Sequence, residues 1–299
     1  MHRPLLRAFA LAVGLSALAF PALAQDGDRK SPYPHAELDS QHKQAVVTSG
    51  RVTATLNVDD RKSDGYVEEV PILQVFVDSK PVLKIEGVSA GETAYGDAEI
   101  VDMDDSNALP EVVFSSYSGG AHCCTQVMVA TGTKNGAWIA VDLGEWDGGG
   151  DYLEDADHDG RPEFVAADQI FLYAFDCYAC SAAPLKILQI RNGKAVDVTR
   201  EPQFQAKLRE WVKALEGWRQ PNGEFQPGFY AGWIAAKSMI GEGREAWETM
   251  MKAYKPSEVE KVEVCRDTGL YGECSDEQRV QVPFPVALKT FLDKNGYTF

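Results

Sequence analysis

The chain has 299 residues, 44% of them hydrophobic, and sets 45 Asp and Glu against 29 Lys and Arg, for a formal net charge of −16 at pH 7. Such an acidic surface is repelled by phosphate backbones and anionic lipid, which argues against nucleic acid and membrane surfaces as partners, and it attracts divalent cations. The length suffices for one large or two modest domains with real cores.

Residues 1–24, MHRPLLRAFALAVGLSALAFPALA, place Arg3 and Arg7 ahead of an apolar run that ends in small residues, the layout of a secretory signal peptide. The run is shorter than the roughly 20 residues a bilayer span needs, and no later stretch approaches that length. The expectation is cleavage near Ala24 and Gln25, export to the periplasm or the medium, and no membrane insertion. Residues 25–44 are polar, carry Pro32 and Pro34 and show no periodicity, which predicts a flexible lead-in.

From residue 45 to residue 200, β-branched and aromatic runs alternate with Gly, Asp and Asn turns. RVTATLNV, PILQVFV, EVVFSSY, TQVMVAT, AWIAVDL, EFVAADQIFLYAF and LKILQI all read as strands. Lys134-Asn135-Gly136 and Arg191-Asn192-Gly193-Lys194 are hairpin turn signals, so the pairing should be antiparallel. After Pro202 the period changes. Phe204, Leu208, Trp211, Val212, Leu215 and Trp218 recur three and four apart, as one face of a helix requires. Phe229, Trp233, Ile234 and Ile240 repeat the pattern, as do Trp247, Met250, Met251 and Tyr254. Residues 261–281 are short and turn-rich, and PVALKTFLDKNGY predicts a closing helix stopped at Gly296. The chain thus reads as mainly β with α: antiparallel β repeats over 45–200, then a mainly α-helical domain over 201–299.

Two stretches of the β region align with each other. Asp102 falls on Asp155, Pro110-Glu111 falls on Pro162-Glu163, and an apolar strand follows each. A period of about fifty residues with several strands per unit predicts a propeller blade or a related sheet repeat. The second copy, Asp155-Ala-Asp157-His-Asp159-Gly160-Arg-Pro-Glu163, sets carboxylates at alternate positions of a tight loop, a glycine at the bend and a closing acid. Hard oxygen donors in a flexible loop suit calcium, with Asp155, Asp157, Asp159, Glu163 and the backbone carbonyl of Arg161 as ligands. An EF-hand is excluded, because Ala166 stands where its last Glu belongs and β segments flank the loop.

This loop resembles the DxDxDGxx(D/E) loop of FG-GAP repeats, the integrin-type and VCBS-like class. The resemblance implies a structural calcium ion at the entry to a strand, and a protein or glycan partner in the bacterial envelope rather than catalysis. The first copy, with Asp102, Asp104, Ser106 and Glu111, lacks the glycine and carries its Glu one residue late, so it is a weaker second site or only a turn. The alternative at each loop is a solvated acidic turn held by Asx hydrogen bonds; the four acids and glycine of the second loop favour calcium over it. The β region holds roughly three such units where closed propellers typically need four, so an open array or a sandwich-like stack is expected.

An even set of six cysteines in an oxidising compartment points to disulfides. Cys265 and Cys274 most simply close a local loop. Cys123, Cys124, Cys177 and Cys180 occupy the same place in their two units, past the loop and past one strand. They should supply two further bridges of unassigned connectivity, stapling neighbouring units. Two sharper readings compete. His122 with these four cysteines is a soft-ligand set for zinc or copper(I). DCYACSAAP offers a CxxC for thiol–disulfide chemistry, though without the βαβ surroundings of a thioredoxin. No GxSxG, HExxH, phosphate-loop or dinucleotide signature is present, so no catalytic residue is assigned. Alternatives to a binding module are a thiol–disulfide protein or a hydrolase without a familiar motif.

Overall fold

The computed structural model describes residues 31–63, 65–120, 124–148, 151–218, 224–269 and 274–299. The signal-peptide expectation lies outside them. The first strand, β1 (His35–Leu38), falls inside the stretch expected to be a flexible lead-in. Its alternation explains why: Ala36 and Leu38 are buried while His35 and Glu37 face outward.

Three antiparallel sheets build the β region. The first is a meander of β2 (Gln44–Ser49), β3 (Val52–Ser63), β4 (Tyr66–Val77) and β5 (Lys80–Glu86). The second joins β1 to β6 (Gly96–Val101), β7 (Glu111–Tyr117), β8 (Thr125–Gly132) and β9 (Trp138–Trp146), in the order β1-β6-β7-β8-β9. The third is β10 (Leu153–Glu154), β11 (Glu163–Ala167), β12 (Leu185–Ile190) and β13 (Ala195–Asp197). The expected turns are present: Gly136 ends the β8–β9 turn, and Asn192 and Gly193 both take positive φ between β12 and β13, as a two-residue hairpin turn demands.

The period-2 alternation of each strand decides how the sheets stack. In the second sheet Ala98, Ile100, Val112 and Phe114 pack against Leu56, Leu73 and Val75 of the first. Their neighbours Val101, Val113, Val127 and Val129 point the other way, onto Phe164, Ala166, Leu188 and Ile190 of the third. Both faces of the second sheet are therefore buried, which is why β7 carries Val112, Val113 and Phe114 in succession. Leu185 and Ile187 leave the third sheet on its far side and join a core with the helices.

Those helices are α1 (Gln205–Trp218), α2 (Pro227–Met239), α3 (Gly243–Ala253) and α4 (Phe284–Lys294), with a hairpin of β14 (Val262–Cys265) and β15 (Arg279–Val282) before α4. Leu208, Val212 and Leu215 form the buried stripe of α1, as their spacing predicts. The run QIFLYAF is not a continuation of β11. Asp168 ends the strand by accepting from Ile170 N and from the Tyr297 hydroxyl at 2.6 Å. Phe171 then turns onto Phe291 and Tyr297, ring centroids 5.0 and 5.2 Å away. The architecture is four layers, sheet on sheet on sheet on helices, and none of the sheets closes on itself.

Candidate functional site

The two aligned acidic loops lie at one end of the stack, each before the second strand of its meander. Their closing glutamates do the same work. Glu111 Oε2 accepts from Met103 N and Asp104 N, and Oε1 accepts from Asn107 Nδ2 and Thr131 Oγ1, all at 2.8–3.1 Å. Glu163 Oε2 accepts from Ala156 N at 2.9 Å and Oε1 from Gln189 Nε2 at 2.8 Å. Both side chains are buried, and burial pushes both carboxyls up against the lowering effect of these hydrogen bonds. Each glutamate ties its loop to the neighbouring strand.

The rest of the two loops differs. Asp104, fully buried, accepts from Ser106 N through one oxygen and from Gly193 N through the other, which joins the first loop to the β12–β13 turn. With Glu111 and Asp104 saturated by backbone and amide donors, the expected weaker site of Asp102, Asp104, Ser106 and Glu111 does not gather: no metal-sized group of these carboxylates forms among the described residues. In the second loop, carboxylate oxygens of Asp155, Asp157 and Asp159 lie within 4.8 Å of one another. Asp155 Oδ2, Asp157 Oδ1 and Asp159 Oδ1 each accept a backbone N–H from within the loop, while Asp155 Oδ1 is buried with no hydrogen-bond partner. That orphaned acceptor beside two more carboxylates fits a cation. Glu163 is not in the group, because its oxygens are taken by Ala156 and Gln189. Arg161 gives its N–H to Asp159, and its guanidinium Nε lies 3.7 Å from Asp102 Oδ2, a link between the two loops.

The cysteine turns occupy the opposite end. Cys177 is bonded to Cys180, and Cys265 to Cys274 as expected. The bridges anticipated between the two clusters therefore do not form. The short helical turn Tyr178–Cys180 brings its two cysteines to a Cα separation of 5.0 Å, within reach of each other. Bonded sulfurs are also unavailable as thiolate ligands. Cys124 is disulfide-bonded, and its turn is closed by Ser118 N to Cys124 O and Cys124 N to Ser118 Oγ. His122 and Cys123 lie outside the described residues.

Between the two cysteine turns a cleft of about 420 Å³ opens, lined by Glu37, Tyr95, Asp97, Tyr117, Asp147 and Tyr178 among others. It is the polar end of the core between the second and third sheets. Along β6 that face runs Val101, Glu99, Asp97, passing from the apolar core to carboxylates. Glu37 and Asp97 are direct cross-strand partners. Burial, with Glu99 and Glu37 adding repulsion against His35, pushes the Asp97 carboxyl up to about 7. The Tyr178 hydroxyl donates to Asp147 Oδ2, the Tyr117 hydroxyl to Gly120 O, and the Tyr95 and Tyr117 rings meet edge to face. None of these six was singled out from the sequence. The available signal was Asp97 and Glu99 alternating with Ala98 and Ile100 in a strand buried on both faces.

Stacked antiparallel sheets, bonded cysteine turns and a helical layer define a disulfide-bonded protein that is mainly antiparallel β with α. The chain belongs to the family of the probable thylakoid lumen protein sll0997 of Synechocystis sp., with 38% identity over 256 residues, 84% of this chain and 75% of that protein. A family model described as the sll0997 C-terminal domain matches residues 204–296, the helical layer with its hairpin. The chain is also 34% identical over 225 residues to the uncharacterized protein y4bJ of Sinorhizobium fredii, covering 72% of this chain and 35% of that protein. No solved structure matches.

Proposed function

We propose that the protein is an exported binding module, periplasmic or secreted, whose ligand-binding face is the cleft at the cysteine end. The cleft carries this reading: it is concave, it mixes aromatic and carboxylate side chains, and disulfide-bonded turns border it. Export is supported by the bonded cysteines and by a relative named as a thylakoid lumen protein. No helix of the described residues is long and apolar enough to cross a membrane. The ligand is a protein segment or a glycan of the envelope.

In this reading the second acidic loop holds a structural calcium ion, as its resemblance to FG-GAP loops implies. Asp155, Asp157 and Asp159 would hold it, and its charge would neutralise three clustered carboxylates and fix the entry to β11. Chelator is expected to lower the melting temperature, and Asp157→Ala to abolish that effect; a melting temperature indifferent to chelator sinks the ion. The cleft is tested by thermal shift of the mature protein against neutral oligosaccharides, amines and short peptides. Compounds that stabilise the wild type and not Tyr95→Ala, at a site 41% exposed, support it; the absence of any such compound speaks against it.

A second reading, thiol–disulfide exchange, is favoured by the exposure of Cys177 and Cys180 on the cleft rim. It requires that mild dithiol reductant open this bridge while the fold persists, read by alkylation and mass spectrometry. A bridge that opens only on unfolding removes it.

A further inference from the structure

The charge inside the cleft is one-sided. Its described lining contains Glu37, Asp97 and Asp147 and no Lys, Arg or His. Like charges directly opposite each other in an antiparallel pair repel, yet Glu37 and Asp97 are such a pair. No hydrogen-bond donor among the described residues meets the Asp97 carboxylate, and Asp147 accepts from Tyr178 through one oxygen, Oδ2. A half-buried Asp97 carboxylate without a donor, directly opposite Glu37, gains from a positive charge arriving with the ligand.

The spacing of the charges says what kind of cation. Glu37 and Asp97 sit on β1 and β6, whereas Asp147 follows β9, so three strand spacings separate Asp97 from Asp147 across the sheet. At roughly 4.8 Å each that is about 14 Å across the sheet, and because the register carries Asp97 through Ser115 and Val127 to Gly144, Asp147 lies three residues, about 10 Å, further along the strand direction. The three carboxylates do not form a metal-sized group, so a single small ion cannot be chelated by all of them. An extended chain with an amino group near each end can meet both stations. The rings of Tyr95, Tyr117 and Tyr178 line the same space, and aromatic rings attract ammonium groups and cover aliphatic chain.

We propose that the cleft binds an aliphatic polyamine or the spaced lysine side chains of a peptide, with Glu37 and Asp97 as counter-charges for one ammonium and Asp147 for another. This deepens the binding-module reading and rests on it. The test is titration calorimetry of the mature protein with spermidine, with its fully N-acetylated form, with a peptide carrying two spaced lysines, and with a neutral oligosaccharide. Spermidine or the peptide should bind, more weakly as sodium chloride rises, and the acetylated form should not. Binding by the peptide alone identifies a protein partner; binding by spermidine identifies a free polyamine. Asp97→Asn and Asp147→Asn keep the side-chain shape and should each weaken binding at least tenfold, the loss of one charge-assisted contact. Thermal melts of both variants confirm that they fold. The proposal is overturned if neither cationic probe binds, or if both variants bind them as tightly as the wild type. Should the oligosaccharide bind while both cations fail, the polyamine falls and the binding module stands. If nothing binds, both fall.

Discussion

Asp97 is a carboxyl held where its charge is unwelcome, and its titration exposes that. With its folded value near 7 and an ordinary Asp value of 3.8, the folded protein keeps a proton between those limits that the unfolded chain has released. Folding then takes up a proton, so stability from this group falls as pH rises through that window and is fullest below it. Asparagine mimics the protonated form at every pH. In ligand-free protein, Asp97→Asn should melt above the wild type at pH 8 and level with it at pH 4; a gap that does not close on acidification would contradict this. Burial raises the Glu111 carboxyl too, yet its response to amide substitution should be the opposite. Its four donors leave no acceptor position idle, and Glu111→Gln would turn an amide donor toward N–H groups that need an acceptor. A loss of about 2 kcal/mol or more is expected in urea unfolding. Glu163→Gln, with two donors to disappoint, should lose less.

At the scale of elements, the closest fit is that of α2 on the segment before β12. An added Cβ at Gly232 would lie 2.0 Å from Ala182 O and 2.2 Å from Ala182 C, and one at Gly228 2.6 Å from Cys180 O. Backbone sits against helix with no room for a side chain, which holds the Cys177–Cys180 turn against the helical layer. Gly232→Ala must push α2 away from that segment, so its destabilisation should exceed the roughly 1–3 kcal/mol of ordinary overpacking. Gly217→Ala in α1, where no atom lies within 4 Å, is the matched control and should be neutral or stabilising by up to about 1 kcal/mol. Equal effects in thermal unfolding would refute the packing argument. Neither contact is legible in the sequence, since PGFYAGW shows two glycines four apart but not what approaches them. By contrast, the periodicity of α1, the Asn-Gly hairpins and the acidic loop were legible, because each is specified by residues local in the chain. The cleft was not, because it joins β1, β6, β9 and the turn after β11, which the fold alone brings together.

Across the whole molecule, the stack has unequal ends. Each inter-sheet core is covered by the next sheet, but no fourth sheet covers the third, and the helical layer packs on its outer face instead. Leu185, Ile187 and Val198 lie there in one core with Phe204, Leu208, Leu215, Ile234 and Leu288. The first sheet has less need of such cover, since the outward positions of β2 and β3 carry Gln44, Thr48, Thr53, Thr55 and Asn57, with Val46 the one exposed apolar side chain among them. The helical periodicity of residues 201–299 suggests a domain of their own, yet its apolar stripes share one core with the third sheet, a partnership that spacing along the chain does not reveal. A chain ending at residue 200 would expose that apolar face, a patch that soluble proteins do not present. It should be insoluble or bind a hydrophobic dye strongly, even with the acidic loops and the cleft residues intact. The same experiment separates two ideas of the helical layer. If 25–200 folds to a cooperative, soluble unit with a melting temperature near that of the mature chain 25–299, the helices are an appended domain and the four-layer account is wrong. If it does not, residues 204–296 have the part a fourth sheet would otherwise play, and the cleft depends on them through α2 and the turn it holds.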